Sequence, residues 1–215
     1  MAVFALACGD SPAQKPLAPL PPIPKEEPVS EAGGNSAPAD VVDSAVAAVA
    51  SLGNEVVMGR FQVAVERMNP TWKKRTADRM GGMEKLEEKL AEVPRQMVQQ
   101  GISMISFKPQ GQPRSFEVGP GKKIEKVNGA DVESLVFSKW MVLVPTATKF
   151  RITRQGEIKP LVIDSIGFQV AISEKGKNDW TFIDGAGLTV NDLRSMFVTL
   201  PADLTLPPLE KRESR

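Results

Sequence analysis

The chain contains no histidine and no tyrosine, and its single cysteine is Cys8. Without histidine, Ser-His-Asp and Cys-His nucleophilic arrangements are excluded, as are His-containing zinc sites and the usual neutral-pH proton shuttle. One cysteine can form neither an internal disulfide nor a Cys-x-x-Cys pair. No apolar run approaches the roughly 18 residues that a membrane-spanning helix needs. Charge is almost balanced, with 27 basic and 26 acidic side chains leaving +1, so no broad positive field argues for nucleic acid. No calcium loop, Gly-x-Ser-x-Gly elbow or Ser-x-x-Lys is present. Gly119-Pro120-Gly121-Lys122-Lys123 has the look of a phosphate loop, but lacks the first glycine at the required spacing and the Ser/Thr after Lys122. It reads as a turn. Asn69-Pro70-Thr71 fails as a glycosylation site because of its proline. These absences lead to an expectation of no metal, no cofactor and no catalytic residue.

The N-terminus carries the strongest positive signal. Ala5-Leu6-Ala7-Cys8 resembles the small-residue lipobox that precedes a diacylated cysteine in bacterial lipoproteins. Only seven residues precede Cys8, none of them basic, whereas a working signal has a basic region and about 7–15 apolar residues. A start codon further upstream would complete it; the alternative is a free cysteine in an unstructured tail. From Asp10 to Ala39, eight prolines (Pro12 to Pro38) and Gly33-Gly34-Asn35-Ser36 leave few large apolar groups to offset the entropy of ordering. That composition reads as a tether, with a ligand for a Pro-binding module as the alternative. Residues 1–39 are thus expected to be a truncated signal and linker, 40–200 one domain, and 201–215 a Pro-containing tail.

From Asp40 the period becomes helical. Asp40 caps a run in which Val42, Ala45, Val46, Val49 and Leu52 share a face, and Gly53 is expected to stop it. Asn54 opens a second helix with Val57, Phe61, Ala64, Val65 and Met68 as its stripe. Asn69-Pro70 ends that helix and starts a short one from Thr71 to Arg79. After Gly81-Gly82, Met83, Leu86, Leu90, Val93 and Met97 recur at helical spacing, with Pro94 expected to interrupt or kink the helix and the stripe expected to pack on a sheet. Beyond Gly101 the period falls to two. Strands are expected over Ile102–Phe107, Arg114–Val118, Val132–Val144, Thr148–Arg154, Ile158–Ser173 and Asp179–Asp184. Turns are expected at Asn128-Gly129 and Gln155-Gly156. Thr189-Val190-Asn191-Asp192 resembles a capping box opening a last helix with Leu193, Met196 and Phe197. Helices first and antiparallel strands afterwards make an α+β fold, with N-terminal helices packed on a curved antiparallel sheet.

Three stretches carry a family resemblance. Gly59 to Lys73, with its Asn69-Pro70 turn, resembles the second helix of the nuclear transport factor two-like superfamily. A long antiparallel sheet follows, and Asp179-Trp180-Thr181-Phe182-Ile183-Asp184-Gly185 resembles a strand ending found in many bacterial members. The resemblance covers Val41 to Phe197 and implies a cone-shaped α+β domain with a pocket, often dimeric through its sheet. Fold of this kind does not imply one activity. The superfamily's ketosteroid isomerases need tyrosine, which this chain lacks. An Asp-Arg-Asp set, as in its epoxide hydrolases, would fall on Asp164 and Asp184 with Arg151 or Arg154. Trp72, Trp140 and Trp180 are either pocket lining or core. The basic clusters Trp72-Lys73-Lys74-Arg75 and Lys122, Lys123 and Lys126 are either anion contacts or solvated faces.

The expected function is a non-catalytic lipoprotein of the bacterial cell envelope, held to the membrane through a lipid on Cys8. Its domain would bind a small apolar ligand or a protein partner, with no nucleic acid, and would be capable of homodimerisation. The alternative is a small hydrolase or isomerase using Asp and Arg groups in the pocket. Whether Asp164, Asp184, Arg151 and Arg154 converge on one pocket discriminates between the two.

Overall fold

The computed structural model describes residues 36–119, 121–127, 130–154, 156–157 and 159–214. Cys8, the linker up to Asn35, Pro120, the Asn128-Gly129 turn and Gln155 lie outside the described residues.

Helix α1 (Ala39–Val57) begins after Pro38 and carries Asp40 in its first turn, where a carboxylate favours the helix dipole. Val41, Ala45, Val49 and Leu52 are buried along one stripe. The helix does not stop at Gly53 as its sequence suggests. Gly53 lies inside it because a Cβ there would overlap the Phe107 ring; the glycine allows close approach. The chain turns instead at Gly59, whose φ of 81° suits glycine. The short α2 (Phe61–Glu66) follows. Asn69 then caps α3 (Pro70–Met80), its side chain accepting the Trp72 N–H at 3.2 Å. Gly81, left-handed at φ 87°, closes α3.

Helix α4 (Met83–Gln99) continues through Pro94. The first part of its stripe packs on α3 and the helix also meets the strand Ile102–Pro109, so the expected packing on a sheet is present in part. Leu86 and Leu90 cluster with Met68 and Ala77, while Val93 and Met97 face a cavity.

Two 14-residue strands, β5 (Lys139–Ile152) and β6 (Leu161–Glu174), form the centre of a curved, unclosed antiparallel sheet. Along the outer edge of β5 lie β1 (Ile102–Pro109) and β2 (Arg114–Val118) in succession. Along the outer edge of β6 lie β7 (Thr181–Asp184) and β8 (Glu210–Glu213). Strands β3 (Gly121–Val127) and β4 (Ala130–Val136) make a separate hairpin. The strand expected over Val132–Val144 is thus broken at Phe137-Ser138. The one expected from Thr148 is the end of β5.

The sheet has a core on each face. Val142, Val144, Ala171 and Phe182 pack against Ala45, Val49 and Leu52 of α1. On the reverse, Met141, Leu143, Val170 and Ile172 pack against Leu193 and Met196 of α5 (Val190–Met196). Each large side chain so buried stabilises the fold by roughly 1.5–3 kcal/mol. The capping box expected at Thr189 is present, with Thr189 Oγ1 accepting the Asp192 N–H at 3.1 Å and Asp192 accepting the Thr189 N–H at 3.1 Å. The segment read as a tail also joins the structure: Leu204 is buried in the second core and β8 pairs with β6. Among the described residues no helix is long and apolar enough to cross a membrane.

Candidate functional site

Strand alternation determines which groups of β5 and β6 meet α1 and which meet α5. On the α1 side the series Val142, Val144, Thr146, Thr148 runs along β5, and Ala171, Gln169, Gly167, Ser165 runs beside it on β6. The valines and Ala171 are covered by α1. Past the Gly53–Phe107 crossing, the helices stand off the sheet and enclose a cavity of about 540 Å³. That lies within the usual 300–1,000 Å³ range of small-molecule sites. Its roof is apolar, from Leu52 and Val56 of α1, Phe61 and Ala64 of α2, and Val93 and Met97 of α4. Its floor is the polar stretch of the sheet, Thr146, Thr148, Ser165 and Gln169. Leu209, Glu210 and Lys211 from the β8 segment complete one side.

The four residues of the candidate Asp-Arg-Asp set do not converge. Asp184 lines the cavity at the end of β7, half-buried, and its Oδ1 accepts the Ala186 N–H at 3.0 Å. Asp164 alternates with the cavity-lining Ser165 and so faces the other way, 3.1 Å from Lys149 Nζ. The hydrogen bond from Lys149 holds the Asp164 carboxyl below its ordinary value against desolvation, helped by Ser214 and Arg212. Arg151 pairs across the sheet with Ser103, its Nε 3.4 Å from Ser103 Oγ, and Arg154 pairs with Glu157 at 3.4 Å. Asp184 on the cavity wall thus has neither Asp164 nor Arg151 or Arg154 beside it.

The tryptophans divide. Trp72 lines the cavity, with the Arg79 guanidinium 5.4 Å from its ring centroid. Trp180 is buried, donating to Ser44 Oγ at 3.0 Å. Trp140 packs at the margin of the α1 core beneath the Lys175 ammonium, 4.7 Å away. The basic run after Trp72 is engaged by the protein itself: Lys73 with Glu87 at 3.1 Å, Lys74 with Asp78 at 2.9 Å, and Arg75 with the Ser195 carbonyl at 2.6 Å. Lys122, Lys123 and Lys126 lie on β3, where Lys126 is opposite Asp131. Among the described residues no cluster of three acidic, histidine or cysteine groups gathers to hold a metal. Cys8 lies outside the described residues.

The polar floor was not singled out from the sequence, although its signal is there. Thr146 and Thr148 continue the alternation of Val142 and Val144, and Gln169 and Ser165 continue that of Ala171. Polar groups therefore fall where an uninterrupted core would place apolar ones. Family models, curated proteins and solved structures were all compared with the chain and none matches it.

Proposed function

We propose that this chain is a non-catalytic, lipid-anchored envelope protein whose α+β domain binds a small, largely apolar ligand in the cavity between helices and sheet. The observation that carries the reading is the cavity: about 540 Å³, roofed by aliphatic and aromatic side chains and furnished with few charges. The separation of Asp184 from Asp164, Arg151 and Arg154 supports binding over hydrolysis, because acid–base work needs its groups within hydrogen-bond reach of one substrate atom. Helices followed by a curved antiparallel sheet also support the nuclear transport factor two-like lineage. The lipobox-like Ala5-Leu6-Ala7-Cys8 and the Pro-rich spacer support the anchor, which would hold the domain off the membrane.

The test is titration of the purified chain with N-phenylnaphthylamine, an uncharged fluorophore that brightens in apolar surroundings. Saturable binding is expected, weakened at least about tenfold (1.4 kcal/mol) when Ala64→Trp fills the roof. No saturable binding, or binding unchanged in that variant, overturns the cavity reading. For the anchor, mass spectrometry of the protein expressed from the full upstream reading frame is expected to show a diacylglyceryl group on Cys8. An unmodified Cys8 removes the envelope assignment.

A further inference from the structure

The floor of the cavity is built for more than an apolar guest. Thr146 is only 4% exposed, yet its hydroxyl has no protein partner among the described residues. Every side-chain nitrogen or oxygen shut away from solvent in those residues does have a partner. The Thr146 hydroxyl therefore opens onto the cavity it lines. The Thr148 and Ser165 hydroxyls and the Gln169 amide line the same floor and likewise meet no protein partner among the described residues. Register makes this a connected patch: Thr148 lies opposite Ser165, Thr146 opposite Gly167, and Gln169 opposite Asp184. Gly167 has no side chain to cover it. Asp184 keeps Oδ1 on the Ala186 N–H, which leaves its carboxylate a further acceptor position.

We infer that the ligand is amphipathic, with an apolar body against the helices and uncharged or cationic hydrogen-bonding groups against the sheet, one of them donated to Asp184. This rests on the cavity being a binding site. An apolar guest would leave four hydrogen-bonding side chains desolvated and unsatisfied, which is costly. A guest with hydroxyl, amide or amine groups would satisfy them, and a site so made rejects analogues lacking those groups. An anionic head is disfavoured beside Asp184, whose carboxylate lines the cavity next to Gln169; Glu210 also lines it, from a position opposite Ile166. The cation on the cavity wall, Lys211 opposite Ser165, is already engaged within the protein. Lys89, which shares the adjoining recess of about 80 Å³ with Asp184, pairs with Glu92 at 3.5 Å.

The experiment is competition against N-phenylnaphthylamine by three probes with one chain and different heads: decanol, decylamine and decanoate. Decanol and decylamine are expected to displace the dye at least about tenfold more effectively than decanoate. Asp184→Asn, which keeps the oxygen that accepts from Ala186, is expected to abolish the preference for amine over carboxylate. Thr146→Val and Gln169→Leu preserve shape and are expected to weaken decanol severalfold more than they change the affinity for the dye, measured on the same variant. Three heads that compete equally, or a head preference unmoved by all three substitutions, overturn the inference and leave the cavity reading intact. Failure of the dye to bind the unmodified chain overturns both.

Discussion

At one end of β5 and β6, Val142 and Val144 lie under α1 while Leu143 and Val170 lie under α5, all of them fully buried. Further along the same two strands, Thr146 and Thr148 open on a cavity and Lys149 and Asp164 form an ion pair on the reverse face. Backbone pairing is continuous across both ends, from Lys139 opposite Glu174 to Ile152 opposite Leu161. The difference lies wholly in the side chains and in what covers them. The sealed end supplies stability; the open end, relieved of that task, carries polar groups that a packed core would not tolerate. A site on a rigid strand pair, held at its far end by a two-sided core, is positioned without being part of what holds the fold together.

The comparison breaks most visibly at Leu143. Truncation to alanine leaves a cavity in the sealed end and should cost about 2–5 kcal/mol, read as a drop in the urea midpoint. The reciprocal pair Val144→Thr and Thr146→Val sharpens the contrast within one strand face. Val144→Thr buries an unpaired hydroxyl and should cost about 1–3 kcal/mol, whereas Thr146→Val should stay within about 0.5 kcal/mol. Equal costs in thermal melting would mean the two ends are not distinct.

Gly53 marks the crossing between the ends. Alanine in a helix interior ordinarily gains about 0.5–1 kcal/mol over glycine, but here its Cβ overlaps the Phe107 ring. A net loss of about 1–3 kcal/mol is expected, recovered in the double variant with Phe107→Leu. Failure of that rescue in a double-mutant cycle would place the cost elsewhere.

The smallest effect concerns the capping box that holds α5 on the sealed end. Thr189→Ala should cost about 1 kcal/mol near neutral pH. Burial pushes the Asp192 carboxyl up, but hydrogen bonds from Thr189 and Arg79 outweigh it and bring the carboxyl below its ordinary value. Its contribution is present above the unfolded carboxyl range near ~4 and is lost as pH falls through the lower folded value. Asp192→Asn should therefore flatten the acid limb of stability, measured as melting temperature against pH.

Much of this architecture is readable in the residues. The stripe of α1, the Asn69-Pro70 junction, the face shared by Phe168, Val170 and Ile172, and the Thr189 box all express local rules, and the structure has each of them. Gly53 misleads because a glycine selected for contact with Phe107 looks like one selected to end a helix. Strand β8 escapes notice since Glu210-Lys211-Arg212-Glu213 is wholly charged, and only pairing with an exposed edge of β6 makes it a strand. Asp164 and Asp184 look alike in sequence, and the parity of their positions on β6 and β7 sends them to opposite faces.

By itself, then, the sequence determined the fold class and the order of elements, because hydrophobic period and capping chemistry act over a few residues. It also excluded histidine and tyrosine chemistry and any internal disulfide. Only the tertiary structure decided that α1 runs on past Gly53, that helices and sheet part beyond it, and that Thr146, Thr148, Ser165 and Gln169 share a cavity floor. Those outcomes depend on which surfaces are left uncovered when separate elements pack, and no local pattern carries that information.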